Sequence, residues 1–218
     1  MARRGDCFGK KIDLVIPAGA STPAWLFLTA PAGAGATELS FTVSPHAGET
    51  GVCKTENIAA PPDAMPGTVQ VVVSGNGGVS ASAAATAQAL SPSFFVFDGT
   101  HVAAVHLNGS YIGPATLYRG FTTPAKPGET IVLFGNGFGP TSVPAVSGLA
   151  TQSGTLMTMP AIQIGGVAAS VTYAGLSAVG EFQFNVVVPS SLANGDQPIT
   201  ASYGGSITPS GAVVAIQN

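Results

Sequence analysis

Charge is scarce in this chain. Only 8% of its 218 residues are Asp, Glu, Lys or Arg, ten acidic against seven basic, for a formal net charge of −3. Soluble domains average about 25% charged. So few basic residues cannot clothe a phosphate backbone, which takes clustered Lys and Arg, and nucleic acid is excluded as an expected partner. The only basic run, Arg3-Arg4 with Lys10-Lys11, sits at the N-terminal end. Long apolar runs are missing as well. None reaches the roughly 18 residues of a spanning helix, so no membrane span is expected. Residues 1–14 lack the apolar core of a secretory signal; the expectation is a signal already removed, or a fragment of a longer protein. Cysteine is nearly absent. Cys7 and Cys53 are compatible with one disulfide, worth about 3–4 kcal/mol in the loop-entropy model. They are equally compatible with two free thiols, because spacing alone does not establish the Cα approach a bridge needs. No CxxC occurs, which removes local support for a zinc or thioredoxin-like site.

What is abundant is apolar residues and turn formers. Hydrophobic residues make up 45%, with 29 Gly and 17 Pro, which together stay below the roughly 25–30% share that marks low complexity. A surface so poor in charge must be solvated by Ser, Thr, Asn, Gln and backbone groups, a texture commoner outside cells than in cytosolic enzymes. No amphipathic helical pattern holds for ten residues. Short β-branched or aromatic stretches recur instead between Gly, Pro, Asn and Asp. They predict strands at 12–16, 24–29, 38–43, 68–74, 79–87, 94–97, 101–107, 130–134, 161–164, 168–173, 181–188, 199–203 and 212–216. The Ala-rich stretch 81–90 competes as helix by propensity, but its Gly-Gly and Ser-Pro flanks favour a strand. The segment from Ile58 through Pro66-Gly67-Thr68-Val69 to Gly78 is similar to the segment from Val187 through Gly195 and Ile199 to Gly205. A repeat of about half the chain implies two copies of one unit. The boundary is expected near Leu90, where Ser91-Pro92 interrupts the pattern and proline forces extended backbone before it. The fold class expected is therefore all-β, two tandem β-sandwiches over 1–90 and 91–218. The first is atypical or truncated. Phe94, Phe95 and Phe97 form a Phe-rich opening to the second, expected to pack into the junction.

Few residues carry chemistry. The run Gly135-Asn136-Gly137-Phe138-Gly139 lacks the Lys-Ser/Thr and the following helix of a phosphate loop and reads as a turn. No Gly-x-Ser-x-Gly occurs, although triads assemble across distant segments. Asp98, His101 and His106 are the densest group of ligating or acid–base residues, with His46 and Glu49 as additions. A metal would need about three of them to converge. On one strand His101 and His106 would face opposite ways, their separation being odd. Glu129, Glu181, Asp63 and Asp196 stand alone as carboxylates. Trp25, Tyr111, Tyr118, Phe121 and Tyr173 could stack on sugar rings. Tyr111 and Tyr118, set among Gly, Pro and Asn, are the best candidates for exposure.

From Pro127 the chain reads Pro-Gly-Glu-Thr-Ile-Val-Leu-Phe-Gly-Asn-Gly-Phe-Gly-Pro, which resembles the opening of the IPT/TIG immunoglobulin-like family. Thr130, Val132 and Phe134 alternate with Ile131 and Leu133 to give two faces. Ile162-Gln-Ile-Gly-Gly-Val-Ala-Ala-Ser-Val resembles that family's strand, Gly-Gly turn, strand unit, and Phe184-Asn-Val-Val-Val-Pro with Gly195 and Ile199 resembles its closing strands. More narrowly, Ser91-Pro-Ser-Phe-Phe through Tyr111-Ile-Gly-Pro, followed by Thr123-Pro-Ala-Lys-Pro-Gly-Glu, is similar to a C-terminal domain repeated in large secreted proteins of acidobacteria. That likeness spans about residues 58–218; residues 1–57 depart from it. The resemblance implies immunoglobulin-like sandwiches at the cell surface or outside the cell, and brings no catalytic residues. The expected function is a non-catalytic module for adhesion, spacing or ligand presentation, with no cofactor, and a polysaccharide or surface protein as partner. Two alternatives are a carbohydrate-binding module using Tyr111 and Tyr118, and a small hydrolase, metal-assisted through His101, His106 and Asp98.

Overall fold

A computed structural model describes residues 25–28, 38–44, 66–75, 78–79, 83–145, 151–178 and 180–218. Every regular element among them is a strand, so the chain is all-β, and no helix among the described residues is long and apolar enough to cross a membrane. They divide into two compact units, the second formed by Leu90–Ala145 and Thr151–Asn218.

The first unit contributes β1 (Trp25–Leu28), β2 (Glu38–Ser44), β3 (Gly67–Gly75), β4 (Gly78–Val79) and β5 (Ala83–Ala87). Of the stretch predicted as one strand over 79–87, the described residues Val79 and Ala83–Ala87 are strand, both antiparallel to β3. The Ala-rich segment is strand, as its flanks indicate. Pairing with β3 from Gly67↔Ala87 to Val71↔Ala83 supplies the backbone partners that a helix would have found within itself.

The second unit runs β6 (Ser93–Phe94), β7 (Ala104–His106), β8 (Tyr111–Ile112), β9 (Thr122–Thr123), β10 (Thr130–Asn136), β11 (Ala161–Ile164), β12 (Val167–Ala178), β13 (Glu181–Val187), β14 (Gly195–Tyr203), β15 (Ser206–Ile207) and β16 (Val213–Ile216). Hydrogen bonding follows the order β15-β14-β11-β12-β13-β10-β7-β8-β9, with β16 on β14 and β6 on β10. Strand β12 joins two layers. Its first residues pair with β11, and from Ser170 onward it pairs with β13, with register shifts after Val171 and Leu176 that bend it. The result is sandwich-like.

Alternation places the core. Ile131 and Leu133 of β10 and Phe182, Phe184 and Val186 of β13 point inward, and Ile162 and Ile164 of β11 face them. At the centre lies Phe138, fully buried, with its ring centroid 4.5 Å from Phe184, 5.8 Å from Phe182, 6.4 Å from Phe94 and 6.2 Å from Tyr203. Phe94 thus packs into its own unit's core, edge-on to Phe184. The Gly-rich run before Phe138 is structural. A Cβ on Gly135 would lie 2.5 Å from the Ser93 carbonyl oxygen, so only glycine lets β6 lie against β10.

The sequence repeat has a structural counterpart. Strands β3 and β14 both open on a positive-φ glycine, Gly67 and Gly195, and both span nine residues. Each ends in a tight hairpin, Gly75↔Gly78 and Tyr203↔Ser206, and each pairs its first half with a closing strand, Gly67↔Ala87 and Gly195↔Ile216. The neighbour on the other edge differs. It runs parallel in the first unit, Leu39↔Val71, and antiparallel in the second, Ile164↔Ile199. Only the hairpin half is repeated with its direction kept.

Candidate functional site

Asp98, His101, His106, Tyr111, Tyr118 and Phe121 fall between the turn before β7 and the start of β9, whereas Tyr173 lies on β12, Glu181 on β13 and Asp196 on β14. The turn 97–100 is tied by Asp98, whose Oδ1 accepts the N–H groups of Thr100 at 3.0 Å and His101 at 2.8 Å. Its Oδ2 lies 2.8 Å from His101 Nδ1. Burial pushes the Asp98 carboxyl up, but these hydrogen bonds and the imidazole beside it outweigh that and leave its pKa below the usual aspartate value. On the other side of the ring, Asp196 of β14 brings Oδ2 to 3.3 Å from His101 Nε2. That approach lacks hydrogen-bond geometry, and Nε2 is shielded from solvent. A histidine held by a carboxylate at Nδ1 could serve as a base through Nε2. Here Nε2 faces a second carboxylate instead of solvent, so the arrangement is a clamp between the turn and the start of β14.

His106 lies elsewhere: it ends β7, whereas His101 precedes that strand in an isolated bridge with Val213, so the two do not share one strand as the expected 101–107 would have it. His106 Nδ1 is 3.1 Å from Glu129 Oε1, and its Nε2 is 2.9 Å from Thr123 Oγ1 and 3.3 Å from the Thr123 carbonyl oxygen. Asp98 and His101 are therefore brought together, while His106 is given to Glu129 and Thr123. No group of three or more His, Cys, Asp or Glu among the described residues is arranged to hold a metal ion. His46, Glu49 and Asp63, like Cys7 and Cys53, lie outside the described residues.

Tyr111 and Tyr118 meet, and Phe97 joins them. Ring centroids stand 5.4 Å apart for Phe97–Tyr111, 5.7 Å for Phe97–Tyr118 and 6.3 Å for Tyr111–Tyr118, all edge-to-face. The loop that brings Tyr118 here is held by a buried Thr122. Its hydroxyl donates to the Pro114 carbonyl at 2.8 Å and lies 3.2 Å from both the carbonyl and the N–H of Tyr118. The three rings turn edges to faces rather than lying flat side by side. Tyr111, 39% exposed, presents surface to solvent, with Phe121 (61%) and Leu107 (70%) exposed on neighbouring turns. Tyr173 is half-buried on β12, and Glu181 accepts the Ser177 hydroxyl at 2.7 Å.

Sequence reasoning missed Thr123, Thr122 and the pairing of Glu129 with His106. The partners of His106 are 17 and 23 residues away, at positions with no motif between them.

The sequence matches no family model and no curated protein.

Proposed function

We propose that this chain is a non-catalytic, immunoglobulin-like module of the cell surface or extracellular space, serving adhesion, spacing or ligand presentation. Its second unit is read as an IPT/TIG-like sandwich. One observation carries this reading. Strands β7, β10, β13 and late β12 lie side by side, and β11, β14 and β16 form the other layer. Taken as A to G in chain order, β7, β10, β11, β12, β13, β14 and β16 reproduce the ABED and CFG layers of a constant-type immunoglobulin domain. The first unit shares the closing hairpin but not the direction of its neighbour, which fits an atypical copy.

The low charge of the chain and the shielded Nε2 of His101 support a binding or structural role over turnover. Such sandwiches host many functions, so the role must be read from the surface. The exposed Tyr111, Phe121 and Leu107 favour one specific form of ligand presentation, contact with a polysaccharide.

The test is retention of the purified protein on insoluble cellulose, chitin and peptidoglycan, with Tyr111→Ala alongside. Retention that Tyr111→Ala abolishes supports polysaccharide binding. Its absence on all three removes polysaccharide and leaves adhesion to a protein. Sustained multiple turnover of chromogenic phosphate, glycoside or ester substrates overturns the non-catalytic reading.

A further inference from the structure

We infer that Thr123 is an activated hydroxyl, an acyl acceptor with His106 as its general base and Glu129 as the positioning residue. This goes beyond the module reading and does not depend on it. The three side chains come from the end of β7, from β9 and from the turn before β10, and Glu129 and Thr123 meet the two nitrogens of the His106 ring. Glu129 Oε1 lies 3.1 Å from His106 Nδ1, and His106 Nε2 lies 2.9 Å from Thr123 Oγ1. Nucleophile and base within about 2.6–3.2 Å, with a third group on the far side of the base, is the geometry that activates a hydroxyl.

The tautomer follows from the partners. A carboxylate only accepts, so a neutral His106 is most stable with its proton on Nδ1, facing Glu129. The Oε1 contact is off the hydrogen-bonding axis and Oε1 is shielded from solvent, so Glu129 acts through its charge. The opposite tautomer could still donate from Nε2 to the Thr123 hydroxyl or carbonyl oxygen, but it would aim the Nδ1 lone pair at that charge, and this repulsion selects against it. With Nδ1 protonated, Nε2 is free to accept the Thr123 O–H.

Accessibility separates this histidine from His101. The His106 and Glu129 side chains are mostly buried, 15% and 25% exposed, which limits competition from water for the ring. Thr123 is exposed on β9, the terminal strand of the sheet order, so its hydroxyl is open to a reagent. His101 has no hydroxyl on Nε2, only Asp196.

The donor class is a carboxylic ester with a good leaving group. Thr123 Oγ1 attacks the ester carbonyl carbon and forms the new C–O bond, while its proton passes to His106 Nε2. The tetrahedral intermediate collapses with cleavage of the bond to the departing oxygen, which takes its proton back from His106 or leaves as the anion. Thr123 is left as an O-acyl ester, with no change of oxidation state.

The experiment treats the full chain with p-nitrophenyl acetate, follows p-nitrophenolate release over the first equivalent, and locates the acetyl group by peptide mass spectrometry. The expected result is one acetyl group on Thr123, retained in Thr123→Ser and lost in Thr123→Val. The rate at this site should fall by about 100-fold or more in His106→Gln, the scale of a positioned general base. Because these substitutions touch packed residues, circular dichroism and thermal melting accompany each variant. The wild-type chain supplies an independent readout. Its three histidines make imidazole nitrogen NMR tractable, and His106 is expected as the Nδ1–H tautomer, shifting toward Nε2–H in Glu129→Gln. Acetylation of Thr123 at an undiminished rate in folded His106→Gln overturns the proposal. So does acetyl found on exposed Lys126 or elsewhere but never on Thr123, or an Nε2–H tautomer in the wild-type chain.

Discussion

The Gly137 carbonyl accepts the Ser91 N–H at 2.9 Å, and a Cβ on Gly137 would run into the Ser91 carbonyl. This contact seats the segment that opens the second unit against the residue that follows β10, the strand that carries Ile131 and Leu133 of the core. Gly137 also has φ of 75°, a left-handed conformation.

Gly137→Ala is therefore penalised twice, by the clash and by the backbone, and should cost about 3 kcal/mol or more. Gly128 shares the left-handed conformation, φ 82°, but a Cβ there meets open space. Gly128→Ala should cost only about 1–2 kcal/mol. Equilibrium urea unfolding of both variants checks the ranking; equal losses would mean that the Ser91 approach contributes nothing.

Phe138 follows in the same run and is the ring about which Phe94, Phe182, Phe184 and Tyr203 are arranged. Phe138→Ala should lose about 3–5 kcal/mol, as for other buried aromatic truncations, whereas the largely exposed Phe121 should be replaceable by Ala with a change near the usual surface range of about 0.5 kcal/mol. Thermal and chemical unfolding distinguish the two.

These two predictions also mark how far the sequence could be read. Turn-bounded apolar stretches predicted strands at 130–134, 161–164 and 181–188, close to the observed Thr130–Asn136, Ala161–Ile164 and Glu181–Val187, because each alternates and buries one face. The Gly165-Gly166 turn was legible too, and Gly204-Gly205, which the sequence showed only as the end of the repeat, makes the same two-residue hairpin with both residues at positive φ. Three strands carried no signal: Tyr111–Ile112, Thr122–Thr123 and Ser206–Ile207 are two residues each, too short for any period. Tyr111, Thr122 and Thr123 of the candidate site lay in those short pieces. Tyr111 and Tyr118 were visible as aromatics among turn formers, but their contact with Phe97 depends on a loop fold that composition does not encode. Glu129 and Thr123 meet His106 only through long-range pairing of β7 with β10 and, by way of β8, with β9.

Asp98 predicts an acid sensitivity. Its carboxyl has a folded pKa below the usual aspartate value of 3.8, so the folded state binds a proton less readily than the unfolded chain. Its contribution is present above the unfolded pKa and is lost as pH falls through the folded one. Asp98→Asn should thus be less stable than the wild type at neutral pH, and the gap should close below about pH 4. His101 and Asp196 face this carboxyl and the ring it holds, so Asp196→Asn is the companion variant. A gap independent of pH would show that the charge of Asp98 is immaterial.

The aromatic trio predicts a measurable coupling. Tyr111 and Tyr118 meet edge-to-face at 6.3 Å, each against Phe97. A double-mutant cycle through Tyr111→Ala and Tyr118→Ala should give a coupling of about 0.5–1.5 kcal/mol, the range of such pairs. A value indistinguishable from zero would mean that Phe97 contacts each ring independently.

Whether that trio exists at all rests on Thr122, because its hydroxyl is the buried partner of Pro114 and Tyr118. Thr122→Val keeps the shape and the β-branch that suits a strand, yet removes the donor to the Pro114 carbonyl. Leaving that carbonyl and the Tyr118 N–H short of partners should cost about 1–3 kcal/mol. A general loss of stability would be one outcome of any buried polar deletion. The specific expectation is that loop 113–121 loosens first. Hydrogen exchange should accelerate at Leu117, whose N–H bonds to Pro114, and at Phe121, bonded to Tyr118, while amides of β10 and β13 keep their protection. If exchange quickened uniformly across the unit, Thr122 would be a core residue like any other. If it quickened only in the loop, Tyr118 would owe its place beside Tyr111 to one hydroxyl.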